Sequence, residues 1–366
     1  MAMDWKDLSR TDKLEFVMVS PQSMDQTLGT LEDVILSKSN VSSMYYTDTR
    51  TSASISFMGP EQYIRNSLIR IVHRIPEWGY SKELGTYLVR ANPMKREKGV
   101  WTASMTLESR LEGLALNLAK EPWTVASGAY IAKAMQQMLS ECGVQWRFDS
   151  MNDKKVNSAF VYETGSSYLS RLYDLCSLSN NRLDVDPHGI VTVGAYTAPS
   201  AKAPTYRIDL ADIHGLAADG ITLTSTYMET PNRAIVSYRY SESVNGENVE
   251  REITAHKDST GNNSITARGY VVADYYSVSE LEPATYATAL NLATSRLMNQ
   301  QKDKVEWELT MPYFPVWEGD VVELIVHDGP AEYQGARHCL VKSQKTSLDS
   351  MSMDLVLKET ASGDDE

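Results

Sequence analysis

The chain has 366 residues, of which 42% are hydrophobic and 23% are charged, and its formal net charge is −13. This length exceeds what one hydrophobic core usually holds, so two or three domains are expected. No window approaches 18 consecutive apolar residues and the charged N-terminus lacks the apolar core of a secretion signal, which argues against a membrane-spanning helix and signal-dependent export. The negative charge argues against sequence-specific nucleic-acid binding, although it would suit a passage through which DNA slides.

Residues 1–108 are predicted to form a first β-barrel domain. Residues 52–57 alternate small polar and apolar side chains with a period of two, which is typical of a half-buried strand. Polar turns separate several short strands of this kind, and such a pattern favours a small barrel or a sandwich. The predicted strands are residues 14–19, 52–57, 63–72, 86–90 and 100–107.

Residues 109–218 are predicted to form an α+β insertion domain with a hairpin and a linker. One helix is predicted where apolar residues recur at the helical period, and Gly143 can end it. The residues of this stripe are Ile131, Met135, Met138, Leu139 and Cys142. A second helix is predicted at 166–178, with Thr164 or Ser166 as its N-cap.

Residues 219–360 are predicted to form a second β-barrel region. A capping box from Ser279 to Glu282 predicts a helix over residues 280–301 within it. The acidic tail at 361–366 is predicted to be disordered. The predicted strands of this region are residues 221–228, 233–240, 249–255, 305–311, 321–326, 338–344 and 351–357.

Two segments in the predicted β regions resemble each other. Residues 87–107 read YLVRANPMKREKGVWTASMTL, and residues 339–357 read CLVKSQKTSLDSMSMDLVL. In both, a strand is followed by a polar turn and then by an alternating strand that ends in apolar residues. This similarity suggests two related barrels separated by the α+β insertion, and chance resemblance between strands is the alternative explanation.

The order of these elements resembles that of a known family. The order is a barrel, an α+β insertion, the segment RLDVDPHGIVTVG, further strands, a helix, the segment PVWEGDVVELIV, and finally GARHCLVKS followed by DSMSMDLVL. It resembles the tail-hub proteins of bacteriophages, also called baseplate hub or tail-associated proteins, and the N-terminal part of type VI secretion spike proteins. The resemblance covers nearly the whole chain and rests on element order and weak motifs.

The resemblance implies a mainly β fold with two related β-barrel domains and a small α+β domain. It implies a homotrimer with a pseudo-sixfold ring of barrels, located in the virion at the distal end of the tail and assembled in the host cytoplasm. The implied partners are the distal tail protein, the tape-measure protein and tip or fibre proteins. The implied function is structural and non-enzymatic: the ring joins the distal tail tube to tip or fibre proteins and gates the passage of DNA. Because the chain ends at Glu366 directly after the second barrel, no peptidase or wall-binding extension is expected.

The segment MPYFPVWEGDVVELIV at 311–326 would then be the turn that begins a strand of the second barrel. Gly319 permits a tight backbone, and Asp320 can accept hydrogen bonds from neighbouring amides. The expected role of this turn is geometric.

Two places in the sequence offer ligand-like side chains. Asp184 and Asp186 occupy alternate positions of a strand, so both carboxylates could face one cation, but a solvated hairpin tip is the favoured interpretation. His327 and His338 flank a predicted hairpin and, with a nearby carboxylate, could bind a metal or act as an acid–base pair. A surface loop joining two strands is favoured there.

The sequence contains none of the common catalytic motifs. It lacks G-x-S-x-G, a Walker A loop, H-E-x-x-H and a dinucleotide fingerprint, and His73, His214 and His256 are isolated. Three cysteines without a CxxC pattern argue against disulfides and zinc, and Cys142 and Cys176 are predicted to be packing residues. No catalytic, cofactor-binding or metal-binding residue is therefore assigned, and no cofactor is expected.

Two other functions remain open. A cell-wall peptidase or glycosidase would require two buried acids that face a cleft and have raised pKa values. A carbohydrate-binding receptor module would require exposed aromatic side chains clustered on one face. The chain has 20 tyrosines and seven tryptophans against five phenylalanines, which is typical of interfaces as well as of sugar-binding surfaces. The candidate contact clusters are Tyr45-Tyr46, Tyr275-Tyr276 and Tyr313-Phe314.

Overall fold

A computed structural model shows that the chain is mainly β. It describes residues 10–59, 67–91, 93–156, 159–213, 220–225, 228, 230–244, 247–261, 264–279, 285–300, 305–329 and 331–360. These residues form two compact units: one comprises the chain up to Thr222 with Glu308–Leu357, and the other comprises Leu223–Trp307 with residues 358–360. Within the described residues, the helices are all too short or too polar to cross a membrane.

The N-terminal part of the first unit is a sheet. Its strands are β1 Lys13–Val19, β2 Thr27–Thr30, β3 Val34–Met44, β4 Thr51–Met58, β5 Leu68–Ile75, β6 Tyr80–Ala91, β7 Met94–Glu97 and β8 Val100–Glu108. Neighbouring strands follow the order β2, β1, β5, β6, β8, β4, β3, with β7 paired to β8. Alternate side chains of β4, including Ile55 and Phe57, are buried, so the predicted period of two is confirmed. The strand predicted at 63–72 begins at Leu68, and residues 60–66 lie outside the described residues.

A second hydrophobic core lies among the elements that follow. They are α1 Arg110–Leu116, β9 Trp123–Val125, α2 Ile131–Glu141, β10 Trp146–Asp149, β11 Phe160–Tyr162, α3 Tyr168–Ser179, β12 Asn181–Val185 and β13 Val191–Ala195, leading to β14 Tyr206–Asp209, α4 Leu210–Ile213 and β15 Ile221–Ser225. The apolar stripe of α2 is in this core, and Gly143 follows the helix with a positive φ of 66°, as predicted. The predicted N-cap of α3 is wrong: Ser167 caps it, because its hydroxyl accepts from the Ser170 amide at 3.1 Å.

Within its described residues, the second unit contains a three-stranded sheet packed against the longer of two helices. Its elements are β16 Arg233–Val244, β17 Glu247–Asp258, α5 Ile265–Arg268, β18 Ala273–Ser279 and α6 Tyr286–Gln300. The strands follow the order β17, β16, β18, and Val236, Ala255 and Ala293 belong to its core. Helix α6 confirms the predicted helix from Tyr286 onward, while the predicted capping box lies largely outside the described residues.

The C-terminal strands return to the first unit and extend its sheet. They are β19 Val305–Pro312, β20 Val321–Val326, β21 Gly335–Ser347 and β22 Ser352–Glu359. Strand β21 pairs antiparallel with β3, so the order β19, β22, β21, β3 joins both ends of the chain in one sheet. The two similar sequence segments both form neighbouring strands, β6 with β8 and β21 with β22. Pairings between the described strands follow an open path, without a closed barrel.

Candidate functional site

The turn between β19 and β20 connects three parts of the first unit. Its own geometry is as predicted: Gly319 has a φ of +85°, and the Asp320 carboxylate accepts from the Trp317 amide at 2.9 Å. The Gly319 amide donates to the carbonyl of Val341, and the Val341 amide donates to the carbonyl of Asp320. These bonds fix the turn to β21 and aim its side chains towards the insertion.

The insertion reaches this turn through Arg182 of β12. A Cβ atom on Gly319 would lie 2.9 Å from Arg182 Nη1 and 3.0 Å from Tyr45 Cε2, so only glycine leaves room for this approach. The Arg182 guanidinium lies 4.3 Å from the centre of the Tyr45 ring and pairs with Asp184 at 2.9 Å. Lys202 adds a bond by donating to the Gly319 carbonyl at 3.0 Å. The glycine is therefore required both for the turn and for the contact with the insertion.

A cavity of about 280 Å³ lies where these parts meet. Glu318 and Trp317 line it from the turn, β6 contributes Leu84 to Tyr87, and the insertion contributes Asp184 to Pro187. Thr51 and Thr192 complete the lining. We refer to this space as the junction cavity.

Glu318 is an acidic residue of the junction cavity whose carboxyl lacks part of its usual hydrogen bonding. Its Oε2 atom is buried and has no hydrogen-bond partner among the described residues. Burial, and next the charge of Asp184, raise the pKa of Glu318 to about 7, although Ser43 and, more weakly, Arg182 act in the opposite direction. This carboxyl can therefore gain or lose a proton close to neutral pH.

Other charged groups around the turn are also partly dehydrated. Burial raises the pKa of Asp320, against the Trp317 amide bond and the charge of Lys82. Burial likewise lowers the pKa of Lys82 and of Lys202. The acidic turn thus lies close to basic groups of β6 and of the insertion, and the charges of Lys82 and Lys202 both act on Asp320.

A second polar network lies where Tyr313, the residue after β19, meets His73 of β5. His73 on β5 is fully buried, and its Nε2 atom is 2.6 Å from Asp12 Oδ1. Its ring contacts those of Tyr80 and Tyr313 at centroid distances of 5.4 and 4.8 Å. Burial raises the pKa of Asp12, but hydrogen bonds from His73 and Arg10 outweigh it and leave the pKa lowered. The interpretation of His73 as isolated is therefore wrong.

The structure pairs the two acids of the predicted cation site with different arginines. Asp184 pairs with Arg182, whereas Asp186 pairs with Arg147 Nη1 at 2.7 Å and accepts from the Ile190 amide at 2.8 Å. The interpretation of this segment as a solvated hairpin tip is also wrong, since the side chains of Asp184 and Asp186 are only 31% and 17% exposed. No cluster of three or more histidine, cysteine or acidic residues suited to a metal occurs within the described ranges.

The neighbouring His188 explains why this hairpin is half-buried. Its Nδ1 atom lies 3.0 Å from both carboxylate oxygens of Glu83, and Arg70 donates to its carbonyl at 3.2 Å. The hairpin is thereby held on β5 and β6. Sequence reasoning did not single out this contact, because the two partners are 105 residues apart.

His327 and His338 bind different partners. His327 Nε2 lies 2.7 Å from Asp209 Oδ1, and His338 Nε2 lies 2.9 Å from the carbonyl of Lys202. Both contacts connect β20 and β21 to the chain around β14. These contacts help to hold β20 and β21 in place beside β14.

The aromatic candidates divide into exposed and buried ones. Tyr46 is 59% exposed, and Tyr275 and Tyr276 are exposed on β18. Tyr313 is buried beside His73 and is a core residue. The prediction that Cys142 and Cys176 are packing residues is confirmed, since Cys176 is buried in the second core and Cys142 packs against it.

Comparison with solved structures identifies the fold. A tail protein from Neisseria meningitidis MC58 matches with a TM-score of 0.64 at 11% identity, over 94% of this chain and 96% of that one. The 43 kDa tail protein of prophage MuSo2 from Shewanella oneidensis matches with a TM-score of 0.62 at 11% identity, over 95% and 98%. An Escherichia coli type VI secretion component, described as structurally similar to the T4 tail proteins gp27 and gp5, matches with a TM-score of 0.50 at 10% identity, over 97% and 75%.

Comparisons of sequence found no matching family model and no matching curated protein. The chain nevertheless has the fold of phage tail proteins and of the type VI component over almost its whole length. The resemblance drawn from element order is thus confirmed at the level of fold.

Proposed function

We propose that the chain is a structural tail-hub protein of a bacteriophage, which acts as a homotrimeric ring at the distal end of the tail. The ring joins the tail tube to tip or fibre proteins, contacts the distal tail protein and the tape-measure protein, and lets DNA pass when it opens. The observation that carries this proposal is the match of fold to tail proteins over at least 94% of both chains.

The proposal includes two related barrels in each subunit, at 1–108 and 219–360, separated by the insertion at 109–218. The repeated pair of neighbouring strands, β6 with β8 and β21 with β22, supports this internal relation. Three such subunits would present six similar barrels to the sixfold tail tube, and a threefold surface to the tip or fibre proteins.

The charge of the chain supports the passage of DNA. A ring of three chains that each carry −13 repels phosphate groups, provided that the acidic residues line the lumen. Such a lumen lets DNA slide without binding. The function is then one of symmetry and gating, and it requires no catalysis.

Light scattering on the purified native protein at several concentrations tests the proposal. We expect a mass of three chains, and electron microscopy of these particles should show threefold views with a central passage. A species that stays monomeric, both alone and in assembled tails, would overturn the trimeric hub.

The junction cavity favours a second candidate, a cell-wall hydrolase. Glu318 has the raised pKa expected of a general acid, and Asp184 and Asp186 share its cavity. Against this candidate, each of the two aspartates is paired with an arginine. Incubation of purified peptidoglycan with wild type and with the Glu318→Gln variant decides between the two functions: fragments released by the wild type alone would establish the hydrolase.

A further inference from the structure

The insertion meets the turn between β19 and β20 through polar contacts, which we name the junction contact. Arg182 of β12 pairs with Asp184 at 2.9 Å, and its Nη1 atom lies so close to Gly319 that a Cβ atom there would be 2.9 Å away. Lys202, also in the insertion, donates to the Gly319 carbonyl at 3.0 Å. The junction cavity is lined from both the turn and the insertion, so part of this contact surrounds open space instead of packed side chains.

Two carboxyl groups line the junction cavity from opposite partners of the contact, and their surroundings differ. Asp184 of the insertion accepts from Arg182 Nε and from the Val185 amide, both at 2.9 Å. Glu318 of the turn has a buried Oε2 atom that lacks a hydrogen-bond partner among the described residues. A buried carboxyl without a partner is strongly disfavoured in its charged form. The geometry therefore favours a protonated Glu318 next to an ionised Asp184.

The other titratable groups around the turn are engaged with different partners. A negative charge on Glu318 would compete with Asp184 for Arg182, because Arg182 already pairs with Asp184 and its charge also acts on Glu318. The remaining groups are Lys82, which donates to the Pro315 carbonyl, Tyr87, which donates to the Leu84 carbonyl, Asp186, which pairs with Arg147, Asp320, which accepts from the Trp317 amide, and Arg50, whose Nε atom lies 4.0 Å from Asp184 Oδ1.

We propose that protonation of Glu318 controls whether the insertion stays closed on the β19–β20 turn. With Glu318 protonated, Asp184 keeps Arg182 and the junction contact is closed. Release of the proton to solvent places a second negative charge beside Asp184. The two carboxylates then repel each other and compete for Arg182, so the junction contact loosens and water enters the cavity to hydrate Glu318. The pKa of Glu318, raised to about 7, places this change near neutral pH. The proposal concerns the single chain and does not depend on the trimeric hub.

Hydrogen–deuterium exchange of the full chain at pH 6 and pH 8, corrected for the intrinsic pH dependence of amide exchange, tests the proposal. Peptides from the turn at 314–322 and from the hairpin at 181–195 report on the two sides of the junction contact, and peptides of β16 in the second unit are the internal reference. Glu318→Gln keeps the shape of the protonated acid, and Asp184→Asn removes the facing charge. Glu32→Gln is the control at an exposed position. Thermal unfolding verifies that each variant is folded.

We expect both groups of peptides to exchange about tenfold faster at pH 8 than at pH 6 in the wild type and in the control, because one unit above a pKa of about 7 only about a tenth of the Glu318 carboxyls stay protonated. Glu318→Gln should exchange equally at both pH values. Asp184→Asn should show a smaller change than the wild type, since Arg182 is then available to Glu318.

Three results would overturn the proposal. The first is equal exchange of the wild-type turn and hairpin at both pH values. The second is the same acceleration in Glu318→Gln as in the wild type, which would assign it to another group. The third is an acceleration shared by the whole first unit, which would show a loss of global stability without local opening. None of these results alters the mass expected of the trimer, so failure of this proposal is distinguishable from failure of the hub.

Discussion

Replacing Glu318 by glutamine should change how the stability of the protein depends on pH. The carboxyl is buried in the junction cavity, and its pKa is raised from 4.5 to about 7. Between these values the folded chain holds a proton that the unfolded chain releases, so the stability falls as pH rises through this window. Glutamine has nearly the shape of the protonated acid and cannot ionise, so the variant should escape this loss.

The size of this change in stability follows from the difference between the pKa of Glu318 in the folded chain and in the unfolded chain. At about 1.4 kcal/mol for each pH unit between the folded and unfolded pKa, the wild type should lose about 3 kcal/mol of its free energy of unfolding by pH 8. The variant should therefore be about as stable as the wild type at pH 4 and about 2–3 kcal/mol more stable at pH 8. Burial also raises the pKa of Asp320, but that group is present in both proteins and cancels in the difference.

Urea unfolding at five pH values between 4 and 8, followed by tryptophan fluorescence, measures this difference. Trp317 lines the junction cavity and Trp101 and Trp146 lie elsewhere in the first unit, so the signal reports mainly on that unit. Glu32→Gln is the matched control, because Glu32 is exposed, and it should not alter the pH profile. Parallel profiles of wild type and Glu318→Gln would refute the reasoning, since the carboxyl would then titrate alike in both states.

Two further substitutions test the packing of the same turn. Gly319→Ala should destabilise the chain by about 2–4 kcal/mol, because the new methyl group meets Arg182 and the backbone has a positive φ, whereas Gly329→Ala adds the same backbone strain in open space and should cost only about 1 kcal/mol. His73→Leu should cost about 1–3 kcal/mol, because the partly buried carboxylate of Asp12 keeps Arg10 but loses its 2.6 Å contact with His73. Urea midpoints measure both effects. Equal costs for the two glycines, or an unchanged midpoint for the histidine variant, would contradict these contacts.

The sequence by itself determined the features that depend on near neighbours in the chain. The alternation of residues 52–57 gave β4, and the apolar stripe with Gly143 gave α2 and its end. The pair Gly319-Asp320 gave the turn, because the positive φ and the bond to the Trp317 amide both arise within four residues. Such patterns are local, so no knowledge of the distant chain is needed to interpret them.

Only the tertiary structure decided the chemistry of the junction. The residues next to Glu318 in the sequence do not indicate a raised pKa. The pKa is raised by burial in the folded chain and by the charge of Asp184, which is more than a hundred residues away. His73 likewise meets Asp12 only because β1 and β5 pair in one register, and Arg182 reaches Gly319 only after the insertion has folded. Burial and charge proximity are properties of the assembled fold, and they set a pKa through the loss of water and the addition of distant charges.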